Sequence, residues 1–144
     1  MVFIKDEGSR FHAPLDRVWK YMMDGERHDA AHATTRNGTF EPLSKTSMIY
    51  AAERWVDGTW VPERMRITVI EPVAVATEFL TGRFAGSAMV YVYRPTGDAT
   101  EIDVYGNFRS DTVPADRLER TVLEFLESEF NEDTPAIQAY VPNG

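Results

Sequence analysis

The 144 residues include no cysteine, which excludes disulfides, thiol nucleophiles, iron–sulfur clusters and cysteine-ligated zinc. Lysine is scarce: three of the fifteen basic residues are lysines, and the arginines are scattered rather than clustered. With a net charge of −8, the chain lacks the basic footprint of a nucleic-acid binder. An acidic surface of this kind repels phosphate backbones and anionic membranes. No apolar run reaches the length that spans a bilayer, and the opening "MVFIKDEGSR" has no signal-peptide core. The expectation is a cytoplasmic protein with no integral membrane association and no nucleic-acid partner. Walker, G-x-S-x-G and dinucleotide-binding patterns are missing as well. "LTGRFAG" lies in a hairpin turn with no helix after it, which argues against a phosphate cradle.

What is present reads as one unit spanning residues 1–144, long enough to bury roughly 68% of its unfolded surface. "VFIKDEGSRFHA" predicts a strand. In "APLDRVWKYMMDG", Leu15, Val18, Trp19 and Met22 form one apolar face. Pro14 suits the first helical position, and Gly25 is a natural stop. "ERHDAAHA" predicts a short second helix. From Gly38 to Arg109 the period changes to two. Strands around Thr39–Leu43, "MIYAAERW", "WVPERMRITVI", "VAVATEFL", "FAGSAMVYVY" and "TEIDVYGNF" are separated by turn chemistry, with Asp57–Gly58 the strongest hairpin signal. Short connections make these strands antiparallel neighbours. A second strong helix starts near Pro114, with Thr112 as a nearby cap, and runs to about Phe130. Its stripe is Leu118, Val122, Phe125, Leu126 and Phe130, while Glu119, Glu124, Glu127 and Glu129 form a solvated face. Residues from about 132 onward read as a tail broken at Pro135, with one short helical turn.

The expected fold class is therefore α+β, a curved antiparallel sheet of six or seven strands around a long C-terminal helix, with two short helices after the first strand. "FHAPLDRVWKYMMD" and "GSAMVYVYRPTGDATEIDVYGNF" carry a resemblance to the START-like or SRPBCC superfamily. This helix-grip group includes birch-pollen-type allergens, lipid-transfer domains and polyketide cyclase/dehydrase-like proteins. The resemblance covers nearly the whole chain. It implies a pocket for a small hydrophobic or amphipathic ligand between sheet and helix; the chain is further expected to be a monomer or homodimer without a cofactor.

Alternation supplies the wall. Ile102, Val104, Gly106 and Phe108 share one face of their strand, with Gly106 expected to open space there. Met65, Ile67 and Val69 share a face on another strand, as do Val73, Val75, Thr77 and Phe79 on a third. The expected cavity set is His28, His32, Glu53, Trp55, Met65, Ile67, Val75, Phe79, Val104, Phe108, Leu118, Val122 and Phe125. Trp55, Trp60, Tyr91 and Tyr93 are either stacking surfaces or cross-strand pairs. In "MIYAAERWVDG", Glu53 and Arg54 must point to opposite faces. The more core-like set of Ile49, Ala51 and Trp55 places Glu53 inside, which makes it the best catalytic candidate in the chain.

His28 and His32 stand four apart. Metal ligation would need a third group, Asp24 or Glu26, giving a two-histidine-one-carboxylate set suited to non-haem iron. Rieske oxygenase catalytic domains resemble this fold and carry such a triad, but the spacing here is not theirs. The pair is read as the rim of the pocket, with no metal, and His12 as structural. Binding or transport of a hydrophobic ligand is the leading function. The alternatives are a cyclase/dehydrase-like enzyme moving protons with pocket side chains and, less favoured, a module assisting another protein.

Overall fold

The chain is described by a computed structural model covering residues 1–141. Its elements are β1 (Val2–Phe11), α1 (Leu15–Met23), α2 (Gly25–Ala30), β2 (Thr35–Pro42), β3 (Ser47–Val56), β4 (Thr59–Ile70), β5 (Ala74–Phe79), β6 (Ala88–Thr96), β7 (Ala99–Phe108) and α3 (Ala115–Ala139). The seven strands form one sheet in the order β1-β7-β6-β5-β4-β3-β2. Every neighbouring pair is antiparallel. The expected α+β helix-grip architecture is what the chain adopts.

Local chemistry sets the joints. Asp57 and Gly58 both have positive φ, 47° and 85°, as a two-residue primed turn between twisted strands requires. That turn fixes the β3–β4 register, so Trp55 pairs with Trp60 and Arg54 with Val61. Pro14 and Pro114 sit one residue earlier than expected, as extended N-caps of α1 and α3 without a side-chain cap bond. Thr112 is not a cap; the Ser110 hydroxyl instead accepts the N–H groups of Thr112 and Val113. Asp24 ends α1 and begins α2, its carboxylate accepting the Arg27 N–H.

The apolar stripe of α3 packs on the sheet as its period demands. Leu118, Val122 and Phe125 are buried, and Phe125 lies 5.6 Å from Phe84 and 6.4 Å from Phe79, centroid to centroid. Gly106 opens no space. A Cβ there would lie 2.7 Å from the Ala88 carbonyl oxygen and 2.9 Å from Met89 Cβ, so the glycine allows close packing and leaves no hole.

The C-terminal tail is a second correction. α3 continues through Pro135 to Ala139, nine residues past the expected end at Phe130. Proline removes one helical N–H, but tertiary contacts hold the last turns. Ile137 and Tyr140 are buried. Arg17 donates to the carbonyls of Ile137 and Gln138, and Gln138 donates to the carbonyl of His12. Packing outweighs propensity here. The expectation for residues 142–144 lies outside the described residues.

Candidate functional site

A cavity of about 1190 Å³ lies between the concave face of the sheet and the helices. Its apolar wall includes Met65, Ile67, Val75, Met89, Val104 and Phe125. Tyr91 and Tyr93 also line it, stacked at 6.4 Å on β6. Neither hydroxyl bonds to another described residue. Burial pushes both phenols well above their ordinary pKa, so they stay protonated and able to donate.

The opposite wall is charged. On α3, Phe125, Glu129 and Asp133 recur every four residues, one stripe facing inward. Glu129 and Asp133 meet His28 and His32 from α2 and the loop after it. His28 Nε2 lies 3.3 Å and His32 Nε2 3.2 Å from Asp133 Oδ1. His32 Nδ1 lies 2.9 Å from Glu129 and 3.2 Å from Glu132. The Tyr21 hydroxyl donates to Asp133 Oδ1 at 2.7 Å. Glu132 also accepts the Ala33 N–H at 2.7 Å, tying the loop that carries His32 to α3. From the sheet, Arg54 reaches Glu63 at 3.0 Å and Glu129 at 2.9 Å. The Tyr50 hydroxyl donates to Asp29. His32, Arg54, Glu63 and Asp133 are each less than 9% exposed.

Of the expected cavity residues, His28, His32, Met65, Ile67, Val75, Val104 and Phe125 line this space. Phe79, Phe108, Leu118 and Val122 are buried in the solid core behind it. Glu53 and Trp55 lie on the other face of the sheet, contrary to expectation. Trp55 is 47% exposed and stacks edge-on against Trp60 across the hairpin. Glu53 pairs on the surface with Asn37 and Arg36, which hold its carboxyl below the usual value. Arg54 is the residue that faces inward. The physical reason is pairing: Tyr50, Ala52 and Arg54 share a face opposite Met65 and Glu63 of β4, so the two buried charges compensate each other. An NMR titration of the Glu53 carboxyl should give a value below an ordinary glutamate, and Glu53→Gln should leave ligand binding unchanged. A raised carboxyl pKa would return Glu53 to the interior.

Several residues of the cluster escaped the sequence reading. Glu129 was placed on a solvated face, and Asp133 in a tail. The third acidic partner of the histidines is thus Asp133 from α3; Asp24 instead accepts from Tyr140 at 3.0 Å. One signal was available. With Met65 and Ile67 inside, strand alternation places Glu63 inside too, and a buried carboxylate needs a cation on the adjacent strand.

Protonation states limit what the cluster does. Burial pushes the His32 imidazole down, but Asp133 and Glu129 outweigh it and raise the pKa to about 11. Burial likewise opposes ionisation of Asp133, yet His28 and His32 pull it well below the ordinary range. A general acid or base works best with a pKa near the working pH. His32, Asp133 and Glu129 hold fixed charges instead. Two donor sets lie close enough to share one ion: His28, His32 and Asp133, and His32, Glu129 and Glu132. Within each set the atoms fall inside 4.8 Å of one another.

No family model matches the sequence, and no curated protein matches it either. Solved structures do. A START superfamily protein from Mycobacterium smegmatis superposes with TM-score 0.77 at 12% identity, over 95% of this chain and 97% of that one. The Zhui aromatase/cyclase from Streptomyces sp. R1128 gives 0.73 at 13%, over 94% and 92%. The di-domain aromatase/cyclase StfQ of the steffimycin biosynthetic pathway gives 0.77 at 9%, over 96% of this chain and 50% of that one, so the chain spans half of it. Among the described residues, no helix is long and apolar enough to cross a membrane. At these identities the likeness establishes architecture alone, and that architecture is a helix-grip fold shared with these START and aromatase/cyclase structures.

Proposed function

We propose that the chain binds one small, predominantly apolar or amphipathic molecule inside the cavity. The observation that carries this reading is the cavity itself: about 1190 Å³, against the few hundred to about 1,000 Å³ usual for small-molecule sites. Aliphatic and thioether side chains cover the sheet side. The Tyr91 and Tyr93 hydroxyls supply a small number of orienting donors. A planar or ring-bearing ligand suits the stacked tyrosines. The likeness to START and aromatase/cyclase structures supports an internal ligand without naming it.

A cyclase/dehydrase-like reaction would use the same pocket, but it needs a group ready to exchange protons near neutral pH. His32 and Asp133 are tuned away from that range in opposite directions, which favours binding over proton transfer.

The test is titration with an uncharged naphthalene-type fluorescent probe, since an acidic protein disfavours anionic ones. Micromolar binding is expected. Val75→Trp, which fills the cavity from β5, should weaken it by at least about tenfold, or about 1.4 kcal/mol, with an unchanged circular dichroism spectrum. Undetectable probe binding, or equal affinity in the folded Val75→Trp variant, would overturn the proposal.

A further inference from the structure

We infer that His28, His32 and Asp133 form a binding site for one divalent first-row transition-metal ion at the cavity wall. The proposal stands apart from the apolar-ligand reading, because it rests on the donor geometry alone.

Three donors converge on one oxygen. Asp133 Oδ1 is approached by Tyr21 Oη at 2.7 Å, His32 Nε2 at 3.2 Å and His28 Nε2 at 3.3 Å. Among the described residues, the hydrogen bond from Tyr21 and the nearest contacts of both imidazoles all fall on Oδ1. As a hydrogen-bond pattern this is crowded on one oxygen. As a coordination sphere its three ligand atoms lie within 4.8 Å of one another, and the two edges from Asp133 have the right length. Nitrogen and oxygen ligands about 2.0–2.1 Å from a tetrahedral ion lie about 3.3 Å apart, and both Asp133–imidazole separations match that edge.

The surroundings have the character of an outer shell. A ligating imidazole usually presents its other nitrogen to a carboxylate, which fixes the ring and its tautomer. His32 turns Nε2 to the site and Nδ1 to Glu129 and Glu132. Tyr21 orients Asp133 in the same way. With both imidazoles neutral, as ligands are, the carboxylates of Glu129, Glu132 and Asp133 surround the histidines, and of these Arg54 reaches only Glu129. A dication reduces that imbalance. Imidazole with carboxylate favours zinc or ferrous, cobaltous or nickel ions over magnesium or calcium. All three ligand residues line the cavity, so the remaining coordination position is open to water or to an oxygen of a bound molecule.

The competing arrangement is a proton in place of the metal, with His32 an imidazolium between carboxylates. Calorimetric titration of the full-length, chelator-stripped protein with Zn²⁺ or Co²⁺ separates the two, with cobalt also followed by its visible absorption. One ion per chain at micromolar affinity or tighter is expected. His28→Ala, at the half-exposed ligand, should weaken binding by more than about 100-fold, and Tyr21→Phe by about 10- to 100-fold, with folded spectra in both. Absence of Zn²⁺ and Co²⁺ binding to folded wild type, or undiminished affinity in His28→Ala, would overturn the site. Probe binding measured on the same stripped sample keeps the two proposals separate, because loss of one titration leaves the other readable.

Discussion

Arg54→Met should destabilise the fold by about 3–5 kcal/mol, the usual effect of removing one partner from a buried ion pair. Arg54 is 6% exposed and Glu63 4%, and the guanidinium reaches both Glu63 and Glu129. Methionine is close in volume but leaves the Glu63 carboxylate inside without its hydrogen-bonded cation, and Glu129 with His32 alone. Burial alone would lower the Arg54 pKa; Glu63 and Glu129 more than offset this and hold it above its ordinary value. The double variant Arg54→Met/Glu63→Met should recover part of the loss, since replacing a whole buried pair by apolar groups is often close to neutral. Urea denaturation of the three proteins checks both statements. A loss under about 1 kcal/mol in Arg54→Met would place the pair in a solvated setting.

His32→Gln, studied in metal-free protein, should destabilise by a comparable amount near pH 6 and by less as the pH rises. The folded pKa is about 11 against an ordinary 6.5. Between those values the native state holds a proton that the unfolded chain has released. The contribution is therefore full below pH 6.5, declines by at most about 1.4 kcal/mol per pH unit above it, and is gone above about 11. On the acid side Asp133 and Glu129 are held below their ordinary values. Their contribution is complete above the ordinary carboxylate range and is lost as the pH falls through the depressed values. The groups facing His32 are Asp133, Glu129 and Glu132 on α3 and His28 on α2, with Tyr21 of α1 bonded to Asp133 behind them. Unfolding free energies of wild type and variant at pH 6, 8 and 10 should converge. A constant difference across that range would mean that His32 is neutral in the fold.

The order of elements and the sheet's antiparallel connectivity were legible in the chain because they rest on local rules. Period two marks strands, Asp57–Gly58 marks a hairpin, and Pro14 and Pro114 mark helix starts. The apolar wall followed from alternation, so Met65, Ile67, Val75 and Val104 were found. The charged wall was not. Whether Glu53 or Arg54 points inward depends on β3 register against β4, a pairing energy between strands that the β3 pattern leaves open. Glu129 and Asp133 read as solvent-facing or tail residues because helical periodicity counts apolar side chains and has no weight for a carboxylate that meets a histidine more than ninety residues away. The continuation of α3 past Pro135 likewise depends on Arg17, His12 and the buried Ile137, all supplied by packing. Local sequence chose the scaffold; long-range pairing of charges decided which residues meet inside it.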